Sequence, residues 1–162
     1  MSKKVFLNTS PIQYIHQLGL IHIIKELFGR VYVPAEVHEE LNSGRKEGVE
    51  LPNLEGMDFI KIIEPKVSSF SELVRDLGKG ETAVILLGLE NPGSLVILDD
   101  LLARRVAKSL GVKLTGTAGV LINAKMKGLV DDISPYLDKL EHFGFHLAHE
   151  HKSLILKKAG EE

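Results

Sequence analysis

The chain has 162 residues, 44% of them hydrophobic and 26% charged, which is enough apolar material for one well-buried core and argues against disorder. It contains no cysteine, so disulfides and thiolate metal sites are excluded and any metal must be held by oxygen ligands or imidazole. The formal charge of −2 is nearly neutral, so a polyanionic partner requires a local basic patch or bridging metal ions.

Ser2-Lys3-Lys4 leads directly into a short apolar strand, Val5-Phe6-Leu7, without the core of a signal peptide. No run of about 18 apolar residues follows anywhere, so the expected location is the cytoplasm and no membrane partner is expected. Pro11 suits the first turn of a helix in which Ile12, Ile15 and Leu18 share a face. Leu20 to Phe28 is a second helical run ended by Gly29, and Arg30 to Val33 reads as a strand. Pro34 then opens a helix carrying Val37 and Leu41, with Asn42-Ser43-Gly44 as its stop. Arg45 to Glu55 reads as an exposed loop, Phe59 to Ile63 as an edge strand, and Pro65 to Ser71 as another loop.

Gly80 precedes a helix from Glu81 to about Glu90. After the turn Asn91-Pro92-Gly93 comes Leu95-Val96-Ile97-Leu98, a continuous apolar run suited to a strand buried on both faces. Helix Leu101 to Leu110, strand Val112 to Leu114, and helices Gly116 to Lys127 and Pro135 to Phe143 follow. A final helix falls within the tail from Ala148 to Lys158. The alternation predicts an α/β fold in one domain spanning residues 1–162: a three-layer sandwich with a central parallel sheet flanked by helices, and 145–162 as a peripheral tail or helix.

In open parallel sheets, sites form where loops leave the carboxyl ends of the strands. That rule selects Asn8-Thr9-Ser10 after the first strand and Asp99-Asp100 after the buried one. Adjacent carboxylates are costly in a merely structural turn because like charges repel, although Asp100 also suits a helix N-cap. Glu81 opens an otherwise apolar helix, where a first-turn glutamate complements the helix dipole, and the glycines on both sides of Lys79 permit close backbone approach. Glu40 on its own reads as part of a solvated face shared with Glu36 and Glu39. Several carboxylates together are the donors that hard divalent cations take, but spacing alone does not bring these acids together.

The words Leu7-Asn8-Thr9-Ser10-Pro11, Val33-Pro34 to Glu40-Leu41, Gly80-Glu81-Thr82-Ala83 and Val96-Ile97-Leu98-Asp99-Asp100 occur in that order. They are followed by Ala103-Arg104-Arg105-Val106-Ala107, Thr115-Gly116-Thr117 and Ala124-Lys125-Met126-Lys127-Gly128-Leu129. In order and spacing the chain resembles the PIN domains, specifically the compact prokaryotic group related to VapC toxins of toxin–antitoxin pairs, over nearly its whole length. The resemblance implies that Glu40, Glu81 and Asp99 or Asp100 face residue 8 across a shallow pocket for one or two Mg²⁺ or Mn²⁺ ions. It also implies RNA as substrate, with a 5′-phosphate and a 3′-hydroxyl as products, a small antitoxin as partner and a homodimer. The family normally has aspartate at position 8; Asn8 keeps an oxygen but removes a charge. The family's Ser10 is retained.

Arg104, Arg105 and Lys108, with Lys113, Lys125 and Lys127, are a local basic excess that reads either as solvated helix faces or as a phosphate-contacting rim. With Ser10, Thr115 and Thr117 they complete the candidate substrate contacts. Thr115-Gly116-Thr117-Ala118-Gly119 lacks the ending of a Walker loop and reads as a turn with an N-cap. The spacing of His142, His146, His149 and His151, interrupted by Gly144, argues for a surface tail over a zinc site. Two functional classes stay open: a metal-dependent endoribonuclease, and a weakened or noncatalytic domain that binds RNA or protein, with Asn8 as the discriminating feature.

Overall fold

The computed structural model describes residues 3–66 and 77–162. From residue 67 onward, the loop expected from Pro65 to Ser71 lies outside the described residues. Strands β1 (Val5–Leu7), β2 (Val31–Pro34), β3 (Ile60–Ile63), β4 (Leu95–Ile97) and β5 (Lys113–Thr115) make one parallel sheet in the order β3-β2-β1-β4-β5. The register pairs Phe6 with Tyr32 on one side and Leu7 with Ile97 on the other, and pairs Ile97 with Thr115. All three residues of β1 are buried, as a central strand covered on both faces requires. The expected edge strand is at an edge, beside β2.

The helices are α1 (Thr9–Gln17), α2 (His22–Phe28), α3 (Ala35–Lys46), α4 (Lys79–Glu90), α5 (Leu101–Ser109), α6 (Thr117–Met126), α7 (Ser134–His142) and α8 (His149–Lys158). Helix α4 is apolar nearly all round, and Ala83 to Gly88 are all buried because it packs on β1, β2 and β4 while touching α3 and α5. Helix α6 meets α1, α2 and α8. The core runs through Phe6, Ile12, Ile24, Val84, Ile97 and Leu121.

Apart from shifts of one or two residues at element ends, two stretches differ from what the sequence suggests. Asn42-Ser43-Gly44 does not stop α3, which continues to Lys46; a glycine inside a helix costs only about 1 kcal/mol, and a Cβ at Gly44 would collide with the Leu51 side chain packed there. The stretch read as loop from Arg45 also contains a 3₁₀ turn, Leu54–Gly56, capped by Asn53. At the end of α5 the expected glycine stop is present: Gly111 has φ +76°, and the Val112 N–H reaches back to the Ala107 carbonyl.

Register and ladder set the position of the site. The Asn8 N–H donates to Ile97 O and the Leu98 N–H to Thr115 O, so the sheet's hydrogen bonding extends one residue past β1 and β4. Asn8, Leu98 and Gly116 therefore lie at one level, with the N-termini of α1, α5 and α6 starting there. At the other end of the sequence Glu161 accepts from the Ile133 and Ser134 N–H groups and pairs with Lys125, which ties the segment after α8 to the start of α7.

Candidate metal centre

Asn8 is the N-cap residue of α1, yet its side chain makes no capping hydrogen bond. It is 4% exposed, and its Oδ1 has no partner among the described residues. An unpaired buried polar oxygen costs about 1–3 kcal/mol; Gln17 Oε1 is another among the described residues, and Asn8 Oδ1 is the one that lies beside the Glu40 carboxylate at Gly80. Glu40 Oε1 accepts the Gly80 N–H at 3.2 Å and Glu40 Oε2 accepts the Thr9 hydroxyl. A Cβ at Gly80 would lie 2.8 Å from Glu40 Oε1 and 3.0 Å from Asn8 Oδ1, so glycine lets α4 begin against these two oxygens without displacing them. Glu40, which the sequence alone assigned to a solvated face, thus joins α3 to α1 and α4.

Glu81 lies in the first turn of α4 and accepts the Gly78 N–H at 3.1 Å. Burial raises the pKa of its carboxyl above the ordinary glutamate range; the Gly78 N–H opposes that, and the charges of Asp100 and Glu40 reinforce it. Asp100 and Glu40 thus both lie near enough to Glu81 for their charges to act on its carboxyl, and the three acids form a rim around it. The two aspartates behind β4 have different partners. Asp100 caps α5, accepting the Ala103 N–H at 2.9 Å through Oδ2. Asp99 accepts from Ser10 Oγ at 2.9 Å, from the Thr117 N–H at 2.8 Å and from Thr117 Oγ1 at 2.7 Å, linking the starts of α1 and α6.

Both Thr117 donors go to Asp99, and the residue is fully buried. The Thr115 hydroxyl occupies the space a side chain at Gly119 would need, facing the first turn of α6. Arg104 donates to Leu98 O at 2.9 Å, and both its Nη1 and Asp99 Oδ1 are within 3 Å of where a Gly116 Cβ would be. Arg105 and Lys108 are exposed and lie farther along α5. Tyr14 was not singled out in the sequence, and Thr9 was selected there only together with Asn8 and Ser10; the close backbone approach expected of the glycines around Lys79 falls at Gly80, against Glu40 and Asn8. Tyr14, one turn after Ser10 on α1, has its phenol pKa raised by burial and by the charge of Asp99.

The donors fit a hard divalent cation in kind: carboxylate oxygens with an unsatisfied buried amide oxygen among them. Among the described residues no three His, Asp or Glu groups are already close enough to hold a metal, whether at this end of the sheet or among the histidines of the tail. Asn8 Oδ1 adds a donor of another residue type.

The fold is a parallel α/β sandwich with acidic side chains and helix N-termini at the carboxyl ends of its central strands. A family model for the PIN domain matches residues 4–161, and the chain belongs to that family. No curated protein matches the chain. No helix among the described residues is long and apolar enough to cross a membrane.

Proposed function

We propose that this chain is a metal-dependent endoribonuclease working with Mg²⁺ or Mn²⁺. The observation that carries the reading is the buried, unpaired Asn8 Oδ1 set beside Glu40 at Gly80, with Glu81 and Asp100 on the same rim. Asn8, Glu40, Glu81 and Asp100 are the residues that would hold the ion, which supplies Lewis-acid charge to a water and to the phosphodiester when bound. Asp99 acts as a positioning residue: its bonds to Ser10 and Thr117 fix the helix starts on either side of the rim. Arg104, held at the Leu98 carbonyl beside Asp99, would offer a fixed positive charge to a phosphate bound at this end of the sheet. The family likeness supplies RNA as substrate and a 5′-phosphate and 3′-hydroxyl as products. A toxin role fits the same rim, because a small antitoxin can place a basic side chain among three acids; a homodimer rests on family likeness alone.

Asn8 favours a second reading, a domain that binds RNA or a protein partner without cleaving, because a neutral amide leaves the site one charge short. The test is cleavage of a labelled single-stranded RNA with Mn²⁺, with chelator, and by Glu81→Gln. Cleavage that both the chelator and the substitution abolish supports the nuclease reading. RNA binding without cleavage at saturating Mn²⁺ supports the second.

A further inference from the structure

Between α5 and the strands β4 and β5 runs an open groove of about 730 Å³, within the range of volumes that hold ligands. Helix α5 contributes Leu101, Arg104, Arg105 and Lys108, which fall on one face at helical spacing. The sheet contributes Leu95 from β4 and Lys113 and Leu114 from the edge strand β5, with Val112 just before it. The combination is unusual for a free surface in two ways. Four aliphatic side chains line it: Val112 is buried, Leu95 and Leu114 are half-buried, and Leu101 is 61% exposed although it is large and apolar. Arg105, Lys108 and Lys113 are all exposed, yet the ion pairs among the described residues involve other cations: Lys25, Lys125 and Lys152.

We propose that this groove docks an acidic amphipathic segment of a protein partner, with aliphatic side chains set between α5 and β5 and carboxylates on Arg105, Lys108 and Lys113. The charge demands an acidic occupant and the lining demands an apolar one. A single RNA strand meets only the first demand: no aromatic side chain lines the groove to stack a base, and the aliphatic surface would stay wet. A second copy related by a two-fold axis through the groove would set these cations against their own counterparts. An amphipathic acidic segment meets both, in the manner of a helix laid into a groove. Arg104 lines the groove and also stands beside Asp99, so the occupant contacts a residue of the acidic end. This inference does not depend on whether the chain cleaves RNA.

The probe is a synthetic helix-forming peptide with leucine along one face and glutamate elsewhere, titrated into the isotope-labelled full chain while amide shifts are followed. Saturable binding is expected, with the largest shifts at Leu95, Arg105, Lys108 and Leu114. Binding should weaken at least tenfold for Arg105→Glu with Lys108→Glu, less for the alanine pair, and at least tenfold for a peptide with serine replacing leucine. Both positions are exposed, so the variants keep the fold, which their own amide spectra verify. No saturable binding at millimolar peptide would overturn the proposal, and so would binding indifferent to the leucines. If oligouridylate shifts the same amides and displaces the peptide, the groove is an RNA track and the proposal fails.

Discussion

Replacing Asn8 by Asp tests the site at its most unusual residue. The side chain is 4% exposed, and its Oδ1 shares the space beside Gly80 with Glu40 Oε1, the two oxygens lying within roughly 6 Å of each other. Two unit charges that far apart repel by about 3 kcal/mol at an effective dielectric of about 20. Glu40 is exposed, so solvent screening reduces this to about 1 kcal/mol, and desolvating a buried carboxylate adds about 1–2 kcal/mol. An acid at the start of α1 recovers about 0.5 kcal/mol from the helix dipole. Repulsion and burial win. Asn8→Asp should lose about 1.5–2.5 kcal/mol in metal-free buffer, a fall in Tm of roughly 3–10 °C for a chain of this size. Added Mn²⁺ should reverse the loss, because a full charge joins the donors: the variant should bind Mn²⁺ at least tenfold more tightly than the parent, and RNA cleavage should rise with it. Thermal melts of both proteins with and without Mn²⁺, run beside a cleavage assay, measure each effect. An unchanged metal response would refute the reasoning, since position 8 would then not face the ion. Tighter metal binding without cleavage would support the noncatalytic reading.

Asp99 and Asp100 should separate in calorimetry and melts. Asp100→Ala removes an N-cap worth about 1 kcal/mol and should sharply weaken Mn²⁺ binding, whereas Asp99→Ala strands the Thr117 donors, should cost about 2–4 kcal/mol, and should affect Mn²⁺ less; equal metal effects would contradict the division. Glu81 has a raised folded-state pKa, so the native state binds more protons than the unfolded one, and this group destabilises the fold increasingly as pH rises through the raised value. Glu81→Gln should therefore melt higher than the parent in metal-free neutral buffer, with the gap closing as pH falls to the ordinary glutamate range; a gap independent of pH would contradict this. Gly80→Ala should push the flexible Glu40 carboxylate off the Gly80 N–H and weaken Mn²⁺ binding several-fold, with little change in the melt, as titration and melting of the same sample would show.

Much of the fold could be read from the sequence because its strands are short apolar words punctuated by glycine and proline, a pattern that fixes both strand and crossover. Val5-Phe6-Leu7 and Leu95-Val96-Ile97 pair in the sheet as two fully apolar strands should. The end of α3 could not be read, because Asn42-Ser43-Gly44 looks like a stop and only the packing of Leu51 against Gly44 shows why the helix continues. Within the site, strand ends identified Asn8 and the aspartate pair by rule. Composition and spacing gave Glu40 a solvated face, since its tie to Gly80 spans forty positions of the chain and no local pattern records it. The cap that Asp100 makes on α5 could be read from the sequence, whereas the bonds of Asp99 were hidden: they depend on Thr117, brought near by the pairing of β4 with β5.

The central claim, that these acids and Asn8 form a divalent-metal centre, is tested most directly by anomalous diffraction from crystals of the parent protein soaked in Mn²⁺. The account predicts a peak within bonding distance of Asn8 Oδ1 and of carboxylate oxygens from Glu40, Glu81 and Asp100. Full-occupancy Mn²⁺ elsewhere, with Asn8 Oδ1 still unpartnered and the three carboxylates turned to solvent, would contradict it.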